Sequence, residues 1–304
     1  MSGRELDAAG ITDPALRASY ERCRQLNAEH GKTYYLATLL LPPAKRPSVH
    51  ALYGFARYAD EFVDSFEHPD PEALVSWGKA FEQDWDRGRS EDPVYSACID
   101  TARRWNIPKE HFEAFLASMR MDIDVTGYAT YADLEGYMYG SASVIGLQMV
   151  PILEPLDDAA YHHAKLLGDA FQMSNFIRDV GEDLRRGRVY LPQEDLDAHG
   201  VTRELLATGI VTAKVRELLR FEIERTRALY REAEPGIAML HPTSRDCIRT
   251  AFELYGGILG AVEAADYQVL TQRVTVPLPR RLQVAVPHLL RAQRARRVER
   301  RWRR

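Results

Sequence analysis

Apolar residues return at three- and four-residue steps over most of this chain, in segments 14–30, 48–65, 71–88, 93–105, 109–122, 131–150, 157–184, 213–234 and 243–270. That spacing matches the 3.6-residue helical turn, so each run presents one apolar stripe to a core and reads as an α-helix. Prolines punctuate the runs at Leu41-Pro42-Pro43, His68-Pro69-Asp70-Pro71, Ile107-Pro108, Glu154-Pro155 and His241-Pro242. At Asp13-Pro14 and Asp70-Pro71 a capping side chain precedes a first-turn proline, where the missing N–H has no helical partner to lose. Alternating strand patterns are nearly absent: Val274-Thr275-Val276 is the nearest, and it is too short to build a sheet. No internal repeat, low-complexity linker or change of composition marks a boundary. The expected architecture is one all-α domain over residues 1–304 with helices around a central space, a core from about 14 to 276 and a basic tail at 291–304.

With 304 residues, 45% hydrophobic and 28% charged, the chain can bury a core without covalent staples. Cys23, Cys98 and Cys247 are far apart and odd in number, which argues against a disulfide framework or a zinc site and for a reducing cytosol. The opening MSGRELDAAG lacks the order of a signal peptide, and no apolar run reaches the length of a membrane span. The expected location is therefore the cytoplasm, with any membrane contact peripheral. The net charge of −4 is uneven: Arg291 to Arg304 carry a local +7, so the other residues carry −11. An acidic body with a basic tail lacks the folded basic patch of a nucleic-acid-binding domain. The tail itself reads as a frayed, solvated end rather than an anchor to anionic lipid.

Two acidic motifs stand out. In Arg57-Tyr58-Ala59-Asp60-Glu61-Phe62-Val63-Asp64, helical geometry sets Asp60 and Asp64 about 40° apart around the axis and about 6 Å along it. A D-x-x-x-D spacing occurs on many charged helix faces and by itself says little. Its flanks, Leu52, Phe55, Ala56, Ala59 and Val63, make this segment look buried, and buried carboxylates must be paired, protonated or metal-bound. The second motif, Asn175-Phe176-Ile177-Arg178-Asp179-Val180-Gly181-Glu182-Asp183, repeats the spacing at Asp179 and Asp183. Asn175 and Gln172 extend one polar stripe back along the same helix. Amide and carboxylate oxygens without nitrogen or sulfur donors suit a hard cation such as Mg2+, with Mn2+ as the substitute, and not zinc. Arg57 beside the first motif, and Arg178, Arg185, Arg186 and Arg188 around the second, add donors for phosphate oxygens. Metal-binding carboxylates next to arginines suit a diphosphate, which leaves carbon readily only when its growing charge is neutralised.

These residues resemble the squalene/phytoene synthase family, the head-to-head branch of the trans-isoprenoid diphosphate synthases, from about His30 to Val276. His30-Gly31-Lys32-Thr33-Tyr34-Tyr35 is similar to the family's substrate-binding opening, and Ala51 through Arg57 leads into its first aspartate motif. Asn175 through Asp183, followed by Arg188-Val189-Tyr190-Leu191-Pro192, is similar to the second. Tyr137 through Gly146 and Tyr255 through Leu259 match further family segments. The openings HGKTYYLATLLLPPAKR and YGSASVIGLQMVPIL are most like those of bacterial phytoene synthases.

The resemblance implies an isoprenoid-synthase fold with both motifs facing a central active-site cavity. It implies Mg2+ on Asp60, Asp64, Asn175, Asp179 and Asp183, the four aspartates being catalytic together with Arg57 and Tyr255. Lys32, Tyr53, Arg57, Gln172, Arg178 and Tyr255 would contact diphosphate or shape the site, with Thr33 in the same opening. Gly31 stands where many relatives carry Ser, which removes one hydroxyl contact and leaves a backbone N–H to serve. The implied reaction joins two geranylgeranyl diphosphates through a cyclopropyl diphosphate and needs no NADPH if the product is phytoene. No Gly-x-Gly-x-x-Gly element is present, but squalene-forming relatives also lack one, so this does not separate the products.

Other residues keep two readings. Tyr137, Tyr139 and Gly140-Ser141-Ala142-Ser143 form either close helix packing or a cavity wall, and His30 is either substrate-binding or structural. His162-His163 reads as surface or packing. Serine-hydrolase and cysteine-nucleophile chemistry lack a Gly-x-Ser-x-Gly elbow or an activated cysteine. Two alternatives stand beside a C20-using synthase: a C15-using enzyme making squalene, dehydrosqualene or hydroxysqualene, and a non-catalytic helical assembly subunit. The intact acidic motifs count against the second, and the sequence leaves the oligomeric state open.

Overall fold

Why the chain forms discrete helices is visible at their starts. The computed structural model describes residues 2–64 and 71–302. Short α1 (Ser2–Ala8) precedes α2 (Pro14–His30), where the Asp13 carboxylate accepts from the Leu16 N–H at 2.8 Å ahead of the first-turn proline, as expected. Then follow α3 (Lys32–Thr38), α4 (Arg46–Asp64) and α5 (Pro71–Arg87). The expected Asp70 cap of α5, and most of the His68–Pro71 breaker, lie outside the described residues. Asp92 caps α6 (Pro93–Trp105) by accepting from Val94 and Tyr95 N–H groups. After α7 (Lys109–Asp124), a reciprocal Thr130–Asp133 capping box opens α8 (Tyr131–Met138). Each such cap satisfies N–H groups that the first turn leaves without partners, and contributes about 1 kcal/mol.

The expected single helix over 131–150 is divided. A π-helical turn, Tyr139–Ser143, separates α8 from α9 (Val144–Leu153). At Gly140 a Cβ would lie 2.2 Å from both the Ala114 carbonyl oxygen and Ser118 Oγ, so the turn presses its bare backbone onto α7. Ser118 Oγ also donates to the Tyr137 carbonyl at 2.9 Å. The small residues read from the sequence as close helix contacts serve that packing.

The longest helix, α10 (Ala159–Arg185), carries the second acidic motif. Beyond it come α11 (Gln193–Ala198), α12 (Arg203–Ala207), α13 (Ala213–Ala233), a 3-10 turn at Glu234–Met239 and α14 (Pro242–Ala264). The expected run to 270 stops early because Asp266 and Tyr267 take left-handed φ angles of 53° and 61°. Arg216 on α13 holds that turn, pairing with the Asp266 carboxylate and lying 5.4 Å from the Tyr267 ring centre.

The chain then returns to α10. The Gly181 N–H donates to the Val269 carbonyl at 3.3 Å, and a Cβ on Gly181 would lie 2.0 Å from the Leu270 oxygen. The final helix, α15 (Leu278–Trp302), was not expected; the basic segment read as frayed is helical through Trp302. Buried Leu6 and Ala292 also carry the core beyond the 14–276 bounds. Among the described residues there is no β-strand, only isolated bridges at Gly127–Val189 and Pro155–Leu240.

Two large apolar clusters support the two motif helices. On α4, Phe55 lies among Trp77, Phe81, Phe112 and Phe115, with ring centres 4.5–5.8 Å away. Burial of such a ring contributes about 1.5–3 kcal/mol, and each aromatic pair adds about 0.5–1.5 kcal/mol. On α10, Ala170, Ile177 and Val180 join Leu218, Leu219 and Ile223 of α13 and Leu259 and Val262 of α14 in the second cluster. A third, smaller cluster places Met173 and Phe176 against Leu134, Tyr137 and Met138. With its other sides fixed, α10 turns the polar stripe inward.

Candidate active site

The two acidic motifs line one cavity of about 710 Å3. From α4 it receives Tyr53, Arg57 and Asp60, and from α10 Gln172, Asn175, Arg178, Asp179 and Asp183. His30 and Tyr137 line it as well. The Asp64 backbone closes α4, but its side chain lies outside the described residues. Lys32 and Thr33, on the first turn of α3, are not part of the lining, and neither is Tyr255. Tyr255 is buried behind the wall, stacked on cavity-lining Phe171 at 4.5 Å and facing Tyr34 at 5.1 Å.

α10 runs along the whole cavity. Ala160, Ala164 and Leu167 line it from the N-terminal half of the helix, and Asp179, Asp183 and Arg186 from the C-terminal end. At 1.5 Å per residue, Ala160 and Asp183 lie roughly 35 Å apart. The lining therefore grades from apolar to strongly polar. Val49 and Leu52 repeat the order on α4, ahead of Arg57 and Asp60.

At the polar end the carboxylates meet arginines. Arg57 Nη1 donates to Asp60 at 2.9 Å, while Arg57 Nε is buried with no acceptor among the described residues. Arg178 grips Asp179 with two bonds, Nε to Oδ1 at 2.8 Å and Nη2 to Oδ2 at 2.5 Å. Arg273, from the segment after α14, joins the same carboxylate at 3.0 and 3.1 Å. Burial works against the Arg178 charge, but its bonds to Asp179 outweigh that and raise its pKa. The motifs differ in depth: the Asp60 side chain is 40% exposed, and that of Asp179 only 14%. The burial expected of the first motif therefore holds for its apolar flanks but not for the half-exposed Asp60 carboxylate.

Aromatic groups line the walls beside this end. Tyr34 faces Tyr53 at 6.0 Å, and burial pushes the Tyr53 phenol up to about 12 against the opposing field of Arg57. Opposite, Phe176 stacks on Tyr190 at 4.2 Å. Asp122, buried at the end of α7, accepts from the Tyr137 hydroxyl at 2.7 Å and the Tyr190 hydroxyl at 2.9 Å, and Arg188 donates to its carbonyl at 2.6 Å. Tyr137 thus packs and lines the cavity at once, so both of its readings apply.

Sequence reading missed Arg273 and Asp122. Arg273 lies in an aperiodic segment and carries no local signal. Asp122 had one: it continues the buried face of Leu116 and Met119, where a carboxylate needs a partner. The donors around Asp60, Asn175, Asp179 and Asp183 are all oxygen, and Arg57 has an unfilled buried N–H, a set that fits a hard cation carrying an anion. Among the described residues no three His, Cys, Asp or Glu side chains stand close enough to ligate a metal together; Asp60 and Asp179 are turned onto arginines.

Comparison with known proteins agrees with this arrangement. The chain is 38% identical to the chloroplastic phytoene synthase of Daucus carota, over 93% of this chain and 73% of that one. It is 37% identical to the 15-cis-phytoene synthase of Synechocystis sp., covering 92% and 87%. With the phytoene synthase of Arthrospira platensis it shares 40% identity over 87% and 90%. A dehydrosqualene synthase crystallised with a ligand superposes with a TM-score of 0.83 at 26% identity, over 90% of this chain and 96% of that one. A squalene synthase from Alicyclobacillus acidocaldarius superposes with a TM-score of 0.78 at 27% identity, over 86% and 98%. The fold is that of the isoprenoid synthases. The squalene/phytoene synthase profile matches residues 27–280, and the chain belongs to that family of head-to-head prenyltransferases.

Proposed function

We propose that this protein is a phytoene synthase, joining two geranylgeranyl diphosphates in a reaction that depends on Mg2+, and that residues 1–304 work as one all-α unit. The gradient along α10, from Ala160 and Leu167 to Asp179 and Asp183, carries the reading: one cavity offers a long apolar wall and a charged end. The 37–40% identity to phytoene synthases supports the C20 substrate.

Mg2+ held by Asp60, Asp64, Asn175, Asp179 and Asp183 would neutralise charge on the leaving diphosphate. Arg57, Arg178 and Arg273 then exchange the Asp60 and Asp179 carboxylates for phosphate oxygens, so no charge is left bare in the cavity. One substrate loses diphosphate as its C1–O bond breaks, and the alkene of the other attacks that carbon. Proton loss closes a cyclopropane. Loss of the second diphosphate, rearrangement and a second proton loss give the C40 product, with no reductant consumed. The faces of Tyr34, Phe171 and Phe176 border the path, where aromatic rings stabilise cations and exclude water. Lys32 and Thr33 lie outside the lining, and no contact with bound diphosphate is assigned to them.

The similar solved structures include a dehydrosqualene synthase and a squalene synthase, which keeps the C15 farnesyl diphosphate as the competing substrate. Purified protein incubated with labelled C15 and C20 diphosphates, with and without NADPH, separates the readings. Consumption of C20 without NADPH is expected; exclusive consumption of C15 refutes the phytoene assignment.

A further inference from the structure

Helix α15 has a face that the synthase chemistry does not use. Its inner side packs on α14 through buried Val284, Ala285, His288 and Ala292. His288 fixes it between Asp246 (Nδ1–Oδ1, 3.0 Å) and Glu253 (Nε2–Oε1, 3.1 Å), both on α14. Arg281 Nε donates to the Val276 carbonyl at 2.8 Å, and Arg296 Nη1 to that of Leu41 at 3.2 Å. The helix is therefore held at both ends, and its outer face is a built surface.

On that outer face Leu278, Leu282, Val286 and Leu290 are 48–66% exposed. Spaced four apart, they form a stripe sweeping about 120° of the helix. Arg294 and Arg297 continue it towards the C-terminus, exposed and each within about 40° of Leu290 around the axis. Four large aliphatic side chains in a row on a soluble surface mark a contact site. The arginines choose the occupant, since no acidic side chain among the described residues of α15 lies on this face to answer them. A second copy would set these arginines against their own like charges or bury them against apolar side chains. An anionic bilayer answers both features, acyl chains taking the leucines and headgroups the guanidinium groups.

We propose that α15 is a docking helix for an anionic lipid surface, with Leu278, Leu282, Val286 and Leu290 inserted and Arg294 and Arg297 on the headgroups. The inference rests on this surface and takes its purpose from the prenyl reading: α14, on which α15 packs, supplies Cys247, Ile248 and Ala251 to the cavity. Docking would then hold an apolar wall one helix away from the lipid that dissolves substrate and product.

The test is co-sedimentation with vesicles of phosphatidylcholine alone or with phosphatidylglycerol, scored apart from turnover so that failure of one does not decide the other. Expected are binding to the anionic vesicles, weakening as salt rises, and at least about tenfold loss both in Leu282→Glu/Val286→Glu/Leu290→Glu and in Arg294→Glu/Arg297→Glu. Circular dichroism matching the parent confirms that each variant is folded. Binding unchanged in the leucine variant, or equal on uncharged vesicles, overturns the proposal. So does a concentration-dependent dimer that the same variant abolishes in protein that does not bind vesicles.

Discussion

Arg273 and Asp179 lie 94 residues apart in the chain and meet through two contacts of 3.0 and 3.1 Å at the charged end of the cavity. The contact exists because the left-handed turn at Asp266-Tyr267 ends α14 and sends the chain back over Gly181. The Arg273 side chain is 53% exposed, and an ion pair that open contributes about 0–1 kcal/mol to stability. Its position makes sense as a donor waiting for phosphate oxygen.

Arg273→Gln should therefore lower kcat/KM for prenyl diphosphate by about a hundredfold, the usual effect of losing one donor to a developing oxyanion. The melting temperature should stay within about 2 °C of the parent. Steady-state kinetics and a thermal melt check both. A large drop in melting temperature with little kinetic loss would make Arg273 a structural clasp.

At Gly31 a Cβ would lie 2.6 Å from Tyr53 Cζ and 2.6 Å from Asn27 Oδ1. The Tyr53 ring occupies the space that a serine would need. Gly31→Ser should thus displace Tyr53 and depress turnover by about tenfold, with about 1–3 kcal/mol lost to overpacking. Restored or increased activity would mean that Tyr53 moves freely and that a hydroxyl is what this position lacks.

His50 is buried, accepts on Nδ1 from Asn27 at 3.0 Å and stacks on Tyr35. Burial, then the charges of Arg24 and Arg46, bring its pKa down to about 3 from 6.5. Below pH 6.5 the unfolded chain takes up a proton there and the folded one does not. The contribution is full above pH 6.5 and is lost as pH falls towards 3, at up to about 1.4 kcal/mol per pH unit. Denaturant melts from pH 7 to 4 should show a shallower acid loss in His50→Gln than in the parent. Equal slopes would mean that His50 is protonated in the fold.

Much of the helical framework was legible because it is local. The runs at 14–30 and 93–105 coincide with α2 and α6, and the stripe from Gln172 to Asp183 follows from helical period alone. Asp64 is the member of the expected ligand set whose side chain lies outside the described residues. What stayed hidden depends on distant contacts. Arg273 reaches the site only through the return over Gly181, and the π-helical turn forms because Gly140 meets Ala114 on another helix. α15 escaped notice because Pro287 falls inside it and apolar residues occupy both its inner and outer faces, blurring the period.

The central claim is that Asp60 and Asp179 act together, through Mg2+, to hold diphosphate. Calorimetric titration of inorganic pyrophosphate into the purified protein tests it without depending on chain length. Binding is expected in Mg2+, at least tenfold weaker in chelator and in Asp60→Asn or Asp179→Asn, with turnover nearly abolished in both folded variants. Pyrophosphate bound equally well without the cation, or normal turnover in either variant, would contradict it.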